Sequence, residues 1–443
     1  MNRLVPCLCV VPLLVVGQAL AQEPGVTQPA PPPGGVSPPV MPPITPPPPP
    51  PPVTVDPARE LMITHLSVVE DKALTDGATS PPGAWSFRAL MEGVAGPRDA
   101  SAMVLAWLRT WERDQTVNGF RVPARPQMRT LVTEPWLRRS GGARLDLAKA
   151  PFRLLAIVNR IDLRGGTPYA PTSAGEGRFV FGVLGPAGEP LSFTVILEYG
   201  LPAADPQAVQ GWARSWHALG QVPFGARYNR LLATLTQRFT RKGAAPAKPN
   251  GSALNQLRTN EIAVGSPWEL REFALDKATG RLAPATVKQT PDASLNGTAG
   301  LADLINKNQA SILAGQFVVP ARLLGGASPV DSVWNAAGIK SLQARHLFAL
   351  NTCSGCHQAE TATGFVHVGP RAAGQVAPLS GFLTGVTVTD PVNGQRRRFA
   401  DLRRRQDDLV ALLSGTGVVP LPAPAVGGVP DGSSALAPAA RVH

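Results

Sequence analysis

The 443-residue chain carries 42 lysines and arginines against 30 aspartates and glutamates, a net charge of +12, with 48 prolines and four cysteines. That charge suits an acidic partner or surface, but the arginines run the length of the chain, which argues against a dedicated nucleic-acid platform. No Gly-x-Ser-x-Gly elbow, phosphate loop or His-Glu-x-x-His pattern occurs, so the hydrolase, nucleotide and zinc-protease chemistries those motifs support have no backing here.

Arg3, the apolar run Leu4 to Val16 and the small-x-small trio Ala19-Leu20-Ala21 read as a secretory signal peptide over residues 1–21. The apolar run is interrupted by Pro12 and falls short of the roughly 20 residues a bilayer span needs. The expected product is therefore periplasmic or secreted, with no transmembrane segment in the mature chain. Residues 22–56, with an unbroken proline run from Pro46 to Pro52, lack the amide donors of helix or sheet and predict an extended, disordered spacer. Cys7 and Cys9 fall in the signal, leaving two cysteines, so the fold does not depend on a disulfide framework.

Residues 57–335 predict a mixed α+β domain. Val104, Trp107, Leu108 and Trp111 recur at helical spacing within Asp99 to Gln115. Asp205-Pro206 is an N-cap and first-turn pair opening a helix that buries Val209, Trp212, Ala213 and Trp216. The next helix is expected to turn Tyr228, Leu231, Leu232, Leu235 and Phe239 inward. Leu154 to Val158 reads as a buried strand, and Phe179 to Leu184 and Leu191 to Tyr199 flank the turn Gly185-Pro186-Ala187-Gly188. The alternation of Phe193, Val195, Leu197 and Tyr199 predicts a half-exposed strand, and Trp268 to Phe273 one with a salt-bridged outer face. Asp162, Glu176 and Glu198 sit at strand ends and would supply a general acid and base if they converge; ion pairing to the neighbouring arginines is the plainer expectation. His65 and His217 are isolated on helix-like segments and read as packed or surface side chains.

Residues 336–414 carry the distinctive pattern: Cys353-Ser-Gly-Cys356-His357, preceded by Leu347-Phe348 and Asn351-Thr352. Two thiols three positions apart on a tight turn reach the two vinyl groups of one porphyrin, and the following histidine lies under the iron. Three other readings share these residues: a Cys353–Cys356 disulfide, a thioredoxin-like pair, and a zinc site with His357 and His367, which adjacent Cys356 and His357 make awkward. Leu379 to Leu383 would give a macrocycle apolar contacts. A final helix with Phe399, Leu402, Leu409, Leu412 and Leu413 on one face would close the pocket. The other face, with Arg396, Arg397, Arg398, Arg403, Arg404 and Arg405, is either solvated or a contact for an acidic redox partner or for haem propionates. Residues 415–443 have no helical or strand period and are expected to be disordered.

This segment resembles c-type cytochromes, and the resemblance covers some 80 residues. It implies one covalent haem c, with Cys353 and Cys356 as thioether donors and His357 as proximal iron ligand, in a small, mainly helical domain. The preceding domain resembles that of uncharacterised secreted bacterial proteins of myxobacterial type, through Asn159-Arg160-Ile161-Asp162-Leu163 and Gly175-Glu176-Gly177-Arg178-Phe179. That likeness implies no activity. The chain departs from the common cytochrome pattern in having no methionine after Met128, so His367 is the distal ligand expected by position, with His346 behind it. If neither reaches the iron, an open site for peroxide, oxygen or an organic substrate follows. The sequence thus predicts an exported monohaem cytochrome for electron transfer. A haem-dependent oxidoreductase, and a non-catalytic surface or binding protein with a structural haem or disulfide, stand beside it.

Overall fold

The computed structural model describes residue 25 and residues 52–165, 173–203, 205–329 and 333–415. The expected signal peptide, most of the proline-rich spacer and the tail beyond residue 415 lie outside the described residues. From Pro52 onward the chain is one compact unit, and no helix among the described residues is long and apolar enough to cross a membrane.

The fold is α+β. In chain order the strands are β1 (Met62–Ile63), β2 (Gln115–Val117), β3 (Phe120–Val122), β4 (Phe152–Arg160), β5 (Ser173–Leu184), β6 (Pro190–Pro202), β7 (Leu254–Glu261), β8 (Glu269–Leu275), β9 (Leu282–Ala285), β10 (Ala327–Pro329), β11 (Val386–Thr389) and β12 (Arg396–Phe399). An antiparallel sheet of eight runs β1-β4-β5-β6-β7-β8-β10. Its outer edge is shared, β10 pairing with residues 269–271 of β8 and β9 with residues 272–275. The Gly185 to Gly188 turn does join a hairpin, β5 to β6, as its residues predict.

One face of the sheet packs on helices whose periodicity was legible. Helix Ala100–Leu108, capped by Asp99, and helix Pro206–Gly220, capped by Asp205, bury Trp107, Trp212 and Trp216 against Phe179, Val195, Leu197 and Tyr199. Leu231 is the exception on the next helix, Ala226–Thr240: it is 43% exposed, while Tyr228, Leu232, Leu235 and Phe239 are buried as predicted.

The other face is not open to water, which overturns the half-exposed reading of β6 and the outer-face reading of β8. Glu198, Glu269 and Arg271 are all buried. The covering layer comes from the motif segment: Leu350, Cys356, Val368, Phe382, Leu383 and Phe399 share a core with Met62, Leu155, Ala156, Val158 and Val180 of the sheet. A register shift between Leu154 and Ala156 turns two successive β4 side chains, Leu155 and Ala156, to this face. The boundary expected near residue 335 is therefore bridged. Helix Leu342–Leu350 packs Ala344, Leu347 and Phe348 on Leu301, Ile305, Ile312 and Trp334, and Leu409 and Leu412 of helix Asp401–Leu413 enter the main core. Residues 336–414 hold helices and the β11–β12 hairpin, and their apolar side chains enter clusters shared with earlier residues.

Candidate functional site

The Cys-x-x-Cys-His residues start a short helical turn. Residues 353–354 are α-helical and Gly355–Ala359 widen into a π turn. Thr352 caps it: its Oγ1 accepts from Gly355 N at 3.0 Å and donates to the Ala349 carbonyl at 2.7 Å. A Cβ on Gly355 would stand 2.0 Å from the Ala349 oxygen, so only glycine fits between the thiols at this position. Gly355→Ala is accordingly expected to destabilise the protein by about 1–3 kcal/mol, because backbone and not a flexible side chain must yield. Urea denaturation checks this, an unchanged midpoint meaning that the turn relaxes freely.

Both cysteines are free thiols, 1% and 0% exposed, and no Cys353–Cys356 disulfide is present. The Cys353 amide donates to Thr290 Oγ1 at 2.9 Å, and its side chain packs with Leu270, Val287 and Phe365. Burial pushes both thiols above their ordinary range, which keeps them protonated at neutral pH.

His357 is held through its Nδ1. Its Nδ1 donates to the Phe365 carbonyl, which also accepts from Asn260 Nδ2 at 2.5 Å. Phe365 reaches this position with φ at 71°, a left-handed backbone that is costly for a bulky residue, and its ring stacks on Trp268 with centroids 4.8 Å apart. A proton on Nδ1 leaves the lone pair on Nε2, and burial lowers the imidazole to about 4, so it is neutral under physiological conditions. His367 is nearby: Nδ1 lies 2.9 Å from Ser380 Oγ, Nε2 lies 3.7 Å from Cys356 Sγ, and the two imidazole centroids are 4.3 Å apart. Burial, and after it His357, push His367 well below the ordinary histidine range. His346 does not reach the others. Its Nδ1 meets Glu360 Oε2 at 2.5 Å inside a buried network with Arg345 and Asp390. His346, Glu360 and Asp390 are the one group of three His, Cys, Asp or Glu ligand atoms within 4.8 Å among the described residues, so Cys353, Cys356, His357 and His367 do not converge on a zinc-like point. Two arginines, Arg345 and Arg397, already neutralise Asp390 in that network.

Between this turn and the sheet lies a cavity with about 680 Å³ of empty space, counting the part open to solvent. His357, His367, Val368 and Leu383 form one wall; Met62, Val158, Val180 and Ile196 form the apolar part of the sheet wall. Arg178, Glu198 and Arg258 in the polar part belong to a cross-strand lattice that extends beyond the cavity. Arg178 Nη2 meets Glu176 Oε2 at 2.7 Å, Arg178 Nη1 meets Glu198 Oε1 at 3.4 Å, and Arg258 Nε meets Glu272 Oε2 at 3.1 Å. Gln256 Nε2 bridges Glu176 and Glu198, and Lys288 Nζ donates to Gln256 Oε1.

Of the three carboxylates considered for acid and base roles, Glu176 and Glu198 come together and Asp162 stands apart, paired with Arg160 at 2.9 Å and Arg404 at 2.6 Å. Burial alone would raise Glu176 and Asp162, but the arginines around them outweigh it and hold both low. Neither is a proton donor at neutral pH, and the ion-pairing expectation is what the geometry supports. The arginines thought to lie on a solvated helix face are divided: Arg397 and Arg405 are buried and Arg404 largely so, while Arg396, Arg398 and Arg403 are exposed. Arg396, Arg397 and Arg398, with Phe399, belong to β12 and not to the helix. His217 pairs with Glu60 at 2.9 Å and is half-buried, and His65 stacks on Phe224 at the surface, within the packed-or-surface expectation.

Sequence reasoning missed Asn260, Arg258 and the role of Arg160 in the cavity wall. The i, i+2 opposite charges Glu176/Arg178 and Glu269/Arg271 were the available signal, since two such pairs on strands of one sheet fit buried cross-strand lattices as well as solvent. Comparison of the chain with family models, with curated proteins and with solved structures finds no match.

Proposed function

We propose that this chain is an exported monohaem c-type cytochrome, with Cys353 and Cys356 as thioether donors and His357 as proximal ligand, serving electron transfer. The observation that carries the reading is the placement of His357. It follows a helical Cys-x-x-Cys turn, its Nδ1 is held by the Phe365 carbonyl, and its ring lines a cavity walled by apolar side chains and arginines. Fixing one nitrogen of a histidine on a carbonyl sets the tautomer and aims the other at a metal.

The haem would supply a one-electron iron couple. The chain's own residues do the rest. Asn260 and the strained Phe365 backbone hold the imidazole, the sheet face keeps bulk water away, and the thiols sit three positions apart on one turn. Because Cys353 and Cys356 are buried in the folded chain, attaching a haem to them would require residues 350–412 to be undocked from the sheet. Arg396, Arg398 and Arg403 leave a basic surface for an acidic redox partner.

A second reading, a haem-dependent oxidoreductase with an open distal side, has one observation in its favour. The ring centroids of His357 and His367 are 4.3 Å apart, too close as they stand for the two imidazoles to hold one haem iron between them. His367 becomes the distal ligand only by leaving its contacts with Ser380 and Cys356. A spectral shift on adding cyanide would favour the open site, and an inert spectrum His367 ligation.

The first test is a pyridine haemochrome spectrum of the chain expressed with its leader in a host that matures c-type cytochromes. A c-type spectrum is expected, with loss of the covalent haem in a Cys353→Ala, Cys356→Ala control. Absence of haem from both proteins overturns the proposal.

A further inference from the structure

We infer that Arg160 and Arg405 form a carboxylate-binding subsite in the wall of the cavity, built to take one carboxylate group of a bound molecule. Arg160, at the end of β4, uses Nε and Nη2 on Asp162, at 2.9 and 3.0 Å. Arg405, one turn into the last helix, uses Nε and Nη2 on Asp401, at 2.7 and 2.6 Å. In each the remaining nitrogen, Nη1, is buried and has no hydrogen-bond partner among the described residues. Both side chains line the cavity, and they are 1% and 3% exposed. A buried guanidinium nitrogen without an acceptor is costly, and two from different elements on one cavity are a donor set awaiting an anion.

Charge balance points the same way. The cluster comprises Arg160, Arg404 and Arg405 against Asp162 and Asp401, with Arg404 bonding both aspartates at 2.6 and 2.9 Å. Three cations therefore share two anions out of water. One carboxylate would neutralise the excess charge and take up the orphaned donors; a neutral ligand would do neither. Burial, and after it the like charge of Arg160, lower Arg405 to about 10, whereas for Arg160 burial is outweighed by Asp162, which holds it above its ordinary value, so within the cluster the uncompensated charge sits on Arg405. Because Met62, Val158, Val180, Ile196, Val368 and Leu383 line the same cavity, the carboxylate belongs to a molecule with a sizeable hydrophobic part. A propionate-bearing macrocycle and a small organic acid share that chemistry.

The subsite stands on the cavity and the arginine cluster, and does not require covalent haem. The test uses the full chain made in a host that does not mature c-type cytochromes. It compares the affinity of metal-free mesoporphyrin IX with that of its dimethyl ester and, separately, of benzoate, by quenching of tryptophan fluorescence. The diacid is expected to bind roughly tenfold or more tightly than the ester. That preference should shrink below about twofold in Arg405→Gln and return in part in Arg405→Lys. Benzoate binding lost in Arg405→Gln, with no acid–ester difference, assigns the subsite to a small acid instead. The proposal is overturned if the wild-type chain shows neither effect, a comparison that needs no variant to fold, or if the acid preference survives in both Arg160→Gln and Arg405→Gln. An acid preference in a chain that fails the haemochrome test keeps the subsite and removes the haem.

Discussion

Exchanging Arg345 for methionine is expected to lower the unfolding free energy by about 3–5 kcal/mol, the range for removing one partner of a buried ion pair. Arg345 is fully buried; its Nη1 meets Glu360 Oε1 at 2.5 Å, and its Nη2 meets Glu360 Oε2 at 3.0 Å and Asp390 at 2.9 Å. Three pieces of chain meet on this one guanidinium: the helix leading into the motif, the residue three places after His357, and the turn between β11 and β12. Methionine fills much of the same volume but leaves the Glu360 carboxylate facing Asp390 and His346 in a dry site. Asp390 keeps Arg397 at 3.0 Å, so Glu360 is the group left without an arginine, with His346 as its remaining partner. Adding Glu360→Gln to Arg345→Met should therefore recover part of the loss, a coupling that a double-mutant cycle in urea measures. A single-variant loss below about 0.5 kcal/mol would mean that the network is solvated and does not hold the motif segment down.

That network also marks where sequence reading stops. The tryptophan-bearing helices and the β5–β6 hairpin were legible because each depends on local spacing: residues 104, 107, 108 and 111 lie on one helical face whatever covers it. The Cys-x-x-Cys-His turn is legible for the same reason, its chemistry being contained in five residues. What covers the polar face of the sheet is not local. Glu176, Arg178, Glu198 and Arg258 alternate as a water-facing strand surface would, and the segment that buries them begins about 90 residues or more downstream. Period two says which residues share a face, but not whether water or another segment lies over it. Arg404 and Arg405 misled for the converse reason. A run of arginines is usually solvated, and only the arrival of Asp162 from a distant segment, beside Asp401 on their own helix, makes their burial tolerable. His367 shows an intermediate case: its position in the chain points to the motif, and the fold puts it on the cavity wall with its ring 4.3 Å from that of His357.

Glu261→Gln is expected to stabilise the protein above pH 8 by about 2–3 kcal/mol and to change little at pH 4. Glu261 ends β7, is wholly buried, and makes no hydrogen bond through either carboxylate oxygen among the described residues, although Arg125 Nη1 stands 3.0 Å away. Burial, only partly offset by Arg125, raises its carboxyl from 4.5 to about 7. The sign follows from proton counting. Between those two values the folded chain holds a proton that the unfolded chain has released, so stability falls as pH rises through the window. Glutamine stays neutral throughout and escapes that loss. Asp162, Glu176 and Asp401, held low by arginines, contribute stability that is lost only as pH falls below the ordinary carboxylate range, and they are common to both proteins. The buried histidines are likewise common to both, so the difference between variant and parent isolates Glu261. Arg125 connects this position to the site. It also donates to the carbonyls of Gly265 and Pro267 at 2.8 and 2.6 Å, just before Trp268, which stacks on the Phe365 whose carbonyl holds His357. Chemical denaturation at pH 4 and pH 8.5 decides the matter. Equal gaps between parent and variant at both values would mean that folding leaves the Glu261 carboxyl at its ordinary value, with Arg125 offsetting its burial fully.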